Sequence, residues 1–210
     1  MRYTISPLSL VLALGLPVAA LAQSSSDTLS LDGRTNLMIG IGLTGTRDAS
    51  ATPGQASTHA SGEVGSFAFN HWVRPSVAVT ISAAALNVDT RAGSGHATTN
   101  AITPLLFGLS YSPRALALST SIRPFVALAA GPYLHAIADA GAGAATTRTE
   151  TVAGARMGAG TNWFVARHFM LSLEADYHAV GKFDYIDAVS KDPSGFGLSF
   201  GFGFSWGGKY

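Results

Sequence analysis

GFGLSFGFGFSW, residues 195–206, is the stretch that decides the fold of this chain. Large apolar side chains stand at every even position from Phe196 to Trp206, and only glycine or serine stands between them. A period of two places these two sets on opposite faces of a β-strand. A soluble sheet would carry charged residues on the face turned away from its core, whereas this strand carries none. The pattern is typical of a strand with lipid on one side and a narrow, filled interior on the other.

Seven further apolar runs precede this stretch and alternate in a similar way. The eight runs cover residues 36–46, 62–72, 77–88, 98–111, 124–137, 152–164, 169–178 and 195 to the C-terminus. The breaks after the first, third, fifth and seventh runs are long, whereas those after the second and sixth are short turns. This alternation is expected of an outer-membrane barrel. We therefore predict an all-β fold: an eight-stranded antiparallel up-and-down transmembrane β-barrel whose last strand pairs with its first.

Several local features are predicted with it. The long breaks are expected to be loops, at residues 47–61, 89–97, 138–151 and 179–194. The 112–123 connection is longer than a turn, and we predict a helical turn in it at residues 115–118. Pro132 has no N–H to donate, so it is expected to mark a bulge or weaken its strand. The only charges predicted inside strands are Glu63, Arg156, Glu174 and Asp176.

The N-terminus predicts a cleaved signal peptide. Arg2 provides the basic residue, residues 8–16 form a short apolar run, and Ala20-Leu21-Ala22 is a small-x-small cleavage site. The run is too short to be a membrane anchor, because a spanning helix needs about 20 residues. We expect residues 1–22 to be removed and residues 23–210 to form one barrel domain.

The composition excludes several functional classes. The chain has 13 Lys and Arg and 12 Asp and Glu, and removal of Arg2 with the signal peptide leaves 12 of each. This balance argues against nucleic acid as a partner. Charged residues make up 12% of the chain, about half the share of a soluble domain. With no cysteine, no acidic loop repeat and no phosphate-binding glycine motif, we expect neither a metal site nor a cofactor.

Alternation also assigns the few charges within strands to the barrel interior. In the seventh run, Glu174, Asp176 and His178 share the face opposite the apolar one. The tight turn at 165–168 makes the sixth and seventh runs a hairpin, which places Arg156 opposite Asp176 or His178. Because an unpaired charge inside a barrel is costly, we predict an ion pair between Arg156 and Asp176. The predicted lumenal polar cluster consists of Arg156, Glu174, Asp176 and His178.

Four segments carry a resemblance to a known family: residues 123–131, 158–164, 169–178 and the aromatic-alternating end that closes with Tyr210. Together they resemble the small outer-membrane β-barrel superfamily of OmpA-, OmpX- and OmpW-like proteins. The resemblance implies the outer membrane of a Gram-negative bacterium, with outer-membrane lipids and lipopolysaccharide as partners. It also implies that the aromatic end is a recognition signal for the outer-membrane assembly machinery. The residues of this assembly signal are Phe202, Phe204, Trp206 and Tyr210.

One set of residues suggests an enzyme. His59, Ser61 and Glu63 stand two positions apart, so on a strand they would share a face about 6.5–7 Å from one another. Ser, His and a carboxylate are the groups of acyl transfer, and some outer-membrane barrels similarly hydrolyse the acyl chains of lipopolysaccharide. The alternative interpretation is that His59 and Ser61 are solvated loop residues and Glu63 is a charge at the strand rim.

The preferred function is a barrel with a lumen filled by side chains, acting through its four outer loops or its bulk in the membrane, without enzymatic activity. Eight strands leave just enough interior for side chains, so a wide porin is excluded. The alternatives are a lipid A acyl-modifying barrel and an OmpW-like conduit for small apolar molecules. A soluble ligand-binding barrel is excluded by the last strand, which has no charged outer face.

Overall fold

The computed structural model describes residues 30–46, 63–93, 96–119, 121–140, 146–181, 183 and 194–208. Its strands are β1 (Arg34–Thr46), β2 (Glu63–Arg74), β3 (Val77–Gly93), β4 (His96–Tyr111), β5 (Ile122–Ala140), β6 (Thr146–Ala166), β7 (Phe169–Val180) and β8 (Gly195–Gly207). Each strand pairs antiparallel with its neighbours in the sequence, and β8 pairs with β1 to close the barrel. The predicted eight-stranded up-and-down barrel is confirmed. No helix among the described residues is long and apolar enough to cross a membrane.

The seam between β1 and β8 is continuous. Every residue of β1 has a partner in β8, beginning with Arg34 opposite Gly207. Just outside the seam, Gly33 and Gly208 have φ of 72° and 91°, a left-handed conformation that glycine adopts without steric cost. The Gly208 N–H donates to the Gly33 carbonyl at 3.1 Å, so hydrogen bonding continues past both strand ends.

The two ends of the barrel differ, as the sequence predicted. At one end lie the tight turns at residues 75–76 and 167–168 and the 112–121 connection, which holds a 3₁₀ turn at Arg114–Leu116. We call this the turn end and the opposite one the loop end. The helical turn predicted at 115–118 therefore exists, but it begins one residue earlier and ends at Leu116.

Strands β3 to β6 run further toward the loop end than predicted. The expected loops at 89–97 and 138–151 are mostly strand, since the breaks are only residues 94–95 and 141–145. β-branched threonines favour extended backbone there; they stand at positions 98, 99, 146, 147, 149 and 151. The strands also hold more charges than predicted, all toward their ends: Arg34, Arg74 and Arg123 at the turn end, and Asp89, Arg91, Asp139, Arg148 and Glu150 at the loop end.

The bulge expected at Pro132 does not occur. Strands β4 and β5 keep one register throughout, although their pairing is interrupted between Pro104 and Phe107, opposite Pro132. The missing N–H thus removes a local link on the β4 side, while Pro132 still stands opposite Ala153 on the β6 side. A gap of two residue pairs within a long ladder is tolerated without a change of register.

The outer wall is an apolar belt that encircles the barrel. Side chains that alternate outward along β8 are about half exposed, including Phe196 at 60% and Phe202 at 50%. The other seven strands add further large exposed residues, which include Ile39, Ile41, Leu43, Phe67, Ile81, Phe107, Leu109, Val126, Leu128, Met157, Trp163 and Leu173. A continuous surface of this size is typical of the lipid-facing wall of a membrane barrel.

An arginine in the middle of this belt is expected to destabilise the barrel strongly. Phe200→Arg on β8 should lower the free energy of unfolding in lipid bilayers by about 2–4 kcal/mol, the cost of a cation on the lipid face at mid-bilayer. The matched control is Thr149→Arg, at an exposed position on β6 near the loop end, where the cost should be about 0–1 kcal/mol. Urea titrations in liposomes would measure both, and equal losses would contradict a lipid-facing belt.

Candidate functional site

The lumenal polar cluster lies where β6 and β7 face the barrel interior. Arg156 Nε donates to Asp176 Oδ2 at 3.0 Å, and Arg156 Nη2 forms an ion pair with Glu174 Oε1. The side chains are withdrawn from solvent, with exposed fractions of 16% for Arg156, 14% for Glu174 and 5% for Asp176. A single guanidinium therefore bridges two carboxylates from the neighbouring strand.

A histidine and a tyrosine extend the cluster. His178 stands directly opposite Arg156 in the ladder, with its Nε2 3.6 Å from Asp176 Oδ1. Its Nδ1 lies 2.8 Å from the hydroxyl of Tyr133, and the two rings meet edge to face with centroids 5.9 Å apart. The carboxylate near Nε2 favours a proton on that nitrogen, so Nδ1 accepts from the Tyr133 hydroxyl. The resulting network links β5, β6 and β7 across the lumen.

Glycines make the room that the cluster occupies. A Cβ built at Gly158 would meet the Glu174 carboxylate, and one built at Gly197 would meet Asp176 Oδ1. Both positions face inward, next to or opposite the charged side chains. Gly158 on β6 and the glycine-serine face of β8 thus leave space inside the narrow barrel for the side chains of Arg156, Glu174 and Asp176.

Next to the cluster lies a small polar cavity. Its volume is about 80 Å³, which is room for about three waters at the volume that water occupies in the liquid. Small polar side chains line part of it, beside the charged cluster and apolar residues such as Met38 and Phe125: Ser66, Asn70, Thr80, Ser82, Ser110, Ser172 and Ser199. The cavity suits water that hydrates the charges rather than a drug-sized ligand.

Two apolar clusters interrupt the lumen. The turn-end plug consists of Leu31, Trp72, Ala78, Phe164 and Met170. The loop-end plug consists of Leu86, Ile102, Leu106, Ala129, Tyr133 and Phe183. Both sets are at least nine-tenths buried, so apolar side chains occupy the interior at two levels of the barrel.

Trp72 is the largest buried side chain of the turn-end plug, with 1% of it exposed. The side chain of Asn36 holds the Trp72 indole in place. With the Asn36 amide oriented so that its oxygen and its nitrogen both have partners, Oδ1 accepts from Trp72 Nε1 at 3.1 Å. In that orientation Nδ2 donates to Ser205 Oγ at 2.8 Å. The plug is therefore tied to the β1–β8 seam by hydrogen bonds as well as by packing.

Sequence reasoning missed Tyr133 and Phe183. Tyr133 has the inward parity of β5, shared with Phe125, so alternation could have found it. Phe183 lies beyond the end of β7, and its ring centroid is 4.7 Å from that of His135. No periodicity predicts that a residue outside a strand packs into the barrel mouth.

The acyl-transfer set of His59, Ser61 and Glu63 stays a prediction. His59 and Ser61 lie outside the described residues, and of Glu63 only the backbone is described. Glu63 is the first residue of β2. The pairing register shifts by one residue between Glu63 and Ser66 on the β1 side, and between Glu63 and Gly65 on the β3 side. The described residues contain no group of three His, Asp or Glu side chains arranged to hold a metal ion.

The aromatic end is placed on the outer face of the closing strand. Phe202, Phe204 and Trp206 point outward from β8 and are 38–54% exposed. The rings of Phe204 and Trp206 have centroids 6.0 Å apart, and Phe69 on β2 lies 6.4 Å from Trp206. Tyr210 lies outside the described residues.

The comparisons identify the fold. It is similar to that of a major outer membrane protein from Thermus thermophilus, with a TM-score of 0.61, 11% identity, and coverage of 83% of this chain and 99% of that one. The outer membrane protein OprG from Pseudomonas aeruginosa is similar with a TM-score of 0.57 and 14% identity, over 87% of this chain and 99% of that one. Ail, the attachment invasion locus protein of Yersinia pestis, is similar with a TM-score of 0.55 and 12% identity, over 83% of this chain and 99% of that one. No family model and no curated protein matches the sequence. The chain has the fold of the small eight-stranded outer-membrane β-barrels, as the resemblance implied.

Proposed function

We propose that this protein is an integral outer-membrane barrel of a Gram-negative bacterium, with a closed lumen and a structural or interaction role, and without enzymatic activity. In this proposal residues 1–22 are the cleaved signal peptide, and the turn end faces the periplasm. The lipid-facing belt contacts outer-membrane lipids and lipopolysaccharide.

The observation that carries the proposal is the doubly plugged lumen. A pore needs a continuous polar path, whereas here a cavity with room for only a few waters lies between the turn-end plug and the loop-end plug. The lumenal polar cluster then has a structural role, because it fills the interior between the plugs and joins three strands. Side-chain filling of this kind is expected of an eight-stranded barrel.

The interaction role is supported by the sheet that extends beyond the belt. The pairing of β6 with β7 ends at Gly154 opposite Val180, whereas β6 continues to Thr146 in register with β5. The described residues of this β6 extension are mostly exposed. Exposed, regular backbone outside the membrane offers partners a rigid surface.

The end of β8 supports a role in assembly. Phe202, Phe204 and Trp206 face outward on the last strand, where they contribute to the aromatic girdle of the turn end. We propose that these residues, together with Tyr210, form the signal read by the outer-membrane assembly machinery.

Conductance tests the closed lumen. The folded wild-type protein should give no stable channels in planar bilayers. A variant that thins both plugs, Trp72→Ala with Tyr133→Ala, should conduct, because the polar cavity would then open toward both ends. The matched control is Val73→Ala, an exposed neighbour of Trp72, which should stay closed. Steady channels from the wild type would contradict the proposal.

A further inference from the structure

The wall of the lumenal cavity carries more negative than positive charge. Of the described residues that line it, Glu174 and Asp176 are acidic, and Arg156 is the one permanent cation. His178 also lines the cavity, but it is neutral when its Nδ1 accepts from the Tyr133 hydroxyl. Two negative charges and one positive charge therefore leave the lining with a net charge of −1.

One guanidinium serves both carboxylates of the lining. Arg156 Nε donates to Asp176 Oδ2 at 3.0 Å, and Arg156 Nη2 pairs with Glu174. These ion pairs require both carboxylates in the charged form, so one negative charge is left without compensation. The other buried arginines, Arg34 and Arg123, do not line the cavity. An unbalanced charge is costly in an interior that is withdrawn from bulk water.

Two buried oxygens beside the cluster have no hydrogen-bond partner among the described residues. They are Asp176 Oδ1 and Asn162 Oδ1, and both side chains line the cavity. The two residues are 7% and 6% exposed. His178 Nε2 lies 3.6 Å from Asp176 Oδ1, which is too far for a hydrogen bond. Water or a cation would satisfy these oxygens, and the net negative charge of the lining favours a cation.

Neutral oxygens stand next to the carboxylates and complete a set of ligands. Ser199 on β8 is directly opposite Glu174, and Ser172 on β7 is directly opposite Asn162. Carboxylate, amide and hydroxyl oxygens are ligands of hard cations. The cavity of about 80 Å³ has room for about three waters, or for one small ion with about two waters. Resting on the closed lumen proposed above, we propose that this cavity binds one sodium ion through Asp176, Glu174, Asn162 and the neighbouring hydroxyls.

The dependence of unfolding on sodium tests this proposal. The full chain would be folded into phosphatidylcholine vesicles and unfolded with urea at several concentrations of sodium chloride. Tetramethylammonium chloride, whose cation is too large for the cavity, would keep the ionic strength constant. If one ion binds the folded barrel alone, the folding equilibrium constant should rise about tenfold for each tenfold increase in sodium above the dissociation constant. Wild-type stability that does not depend on sodium would overturn the proposal and would indicate that a proton balances the cluster.

Glu174→Gln separates the site from a general effect of sodium. The variant keeps Arg156 and Asp176 as a balanced pair, so it should fold and lose the sodium dependence. The matched control is Glu150→Gln, which removes a carboxylate that does not line the cavity and should keep the wild-type dependence. Equal sodium dependence of the two variants would overturn the site. Heat-modifiable migration reports folding, and planar-bilayer conductance tests the closed lumen independently, so failure of the ion site is distinguishable from failure of the proposed function.

Discussion

Replacement of Arg156 by methionine is expected to lower the free energy of unfolding by about 3–5 kcal/mol, the usual cost of removing one partner from a buried ion pair. The substitution would leave Glu174 and Asp176 as two neighbouring carboxylates with no guanidinium between them. Both are withdrawn from bulk solvent, and the cavity beside them has room for only a few waters to hydrate the two charges. Urea unfolding in liposomes, followed by heat-modifiable migration, would measure the loss.

A double-mutant cycle separates the ion pair from other effects of this change. Asp176→Asn in the Arg156→Met background removes one of the two orphaned charges, so the double variant should be more stable than Arg156→Met alone. Arg148→Met, at an exposed position of β6, is the matched control and should change stability by about 0.5 kcal/mol or less. Simple additivity of the two single changes would contradict the pairing.

Trp72→Ala is expected to cost about 3–5 kcal/mol, as large-to-small substitutions of buried aromatic residues do. The change would leave a cavity in the turn-end plug and would remove the hydrogen bond that Asn36 accepts from the indole. Phe164 and Met170 are held by their own strands, so the site can collapse only in part. The measurement is the same urea titration.

Val73→Ala is the matched control for Trp72→Ala. Val73 is the next residue on β2 but points outward and is 47% exposed, so its truncation should cost about 1 kcal/mol or less. If the two variants were equally stable, Trp72 would not contribute to a packed plug.

The sequence predicted the wall of this barrel far better than its contents. The outward-facing residues of a strand, as in β8, can be identified from the alternation in that strand's own sequence, without knowledge of its neighbours. The ion pair of Arg156 with Asp176 could also be predicted from the sequence, because a tight turn fixes the register of the β6–β7 hairpin. The contact of Tyr133 with His178 could not be predicted in this way, since it joins β5 and β7, which are not neighbours in the sheet.

The remaining misses have physical causes of their own. The residues at 89–97 and 138–151 are small, polar and rich in glycine, alanine and threonine, a composition that suits both loops and extended hairpins. Only the ladder between neighbouring strands decides between the two. Buried Arg34 and Arg123 were missed for another reason: both lie just before the predicted runs at 36–46 and 124–137, where charges are usually solvated, although each has the inward parity of its strand.

The continuous seam between β1 and β8 has a consequence for the order in which the chain folds. The other seven strand pairings join neighbours in the sequence and can form as successive hairpins with a small loss of chain entropy. The seam joins the two ends of the barrel, as when Leu37 meets Phe204. We expect it to form last, so a nearly complete sheet with two open edges precedes the closed barrel. Slow steps in folding should therefore respond to substitutions in β1 and β8 more than to those in the central hairpins.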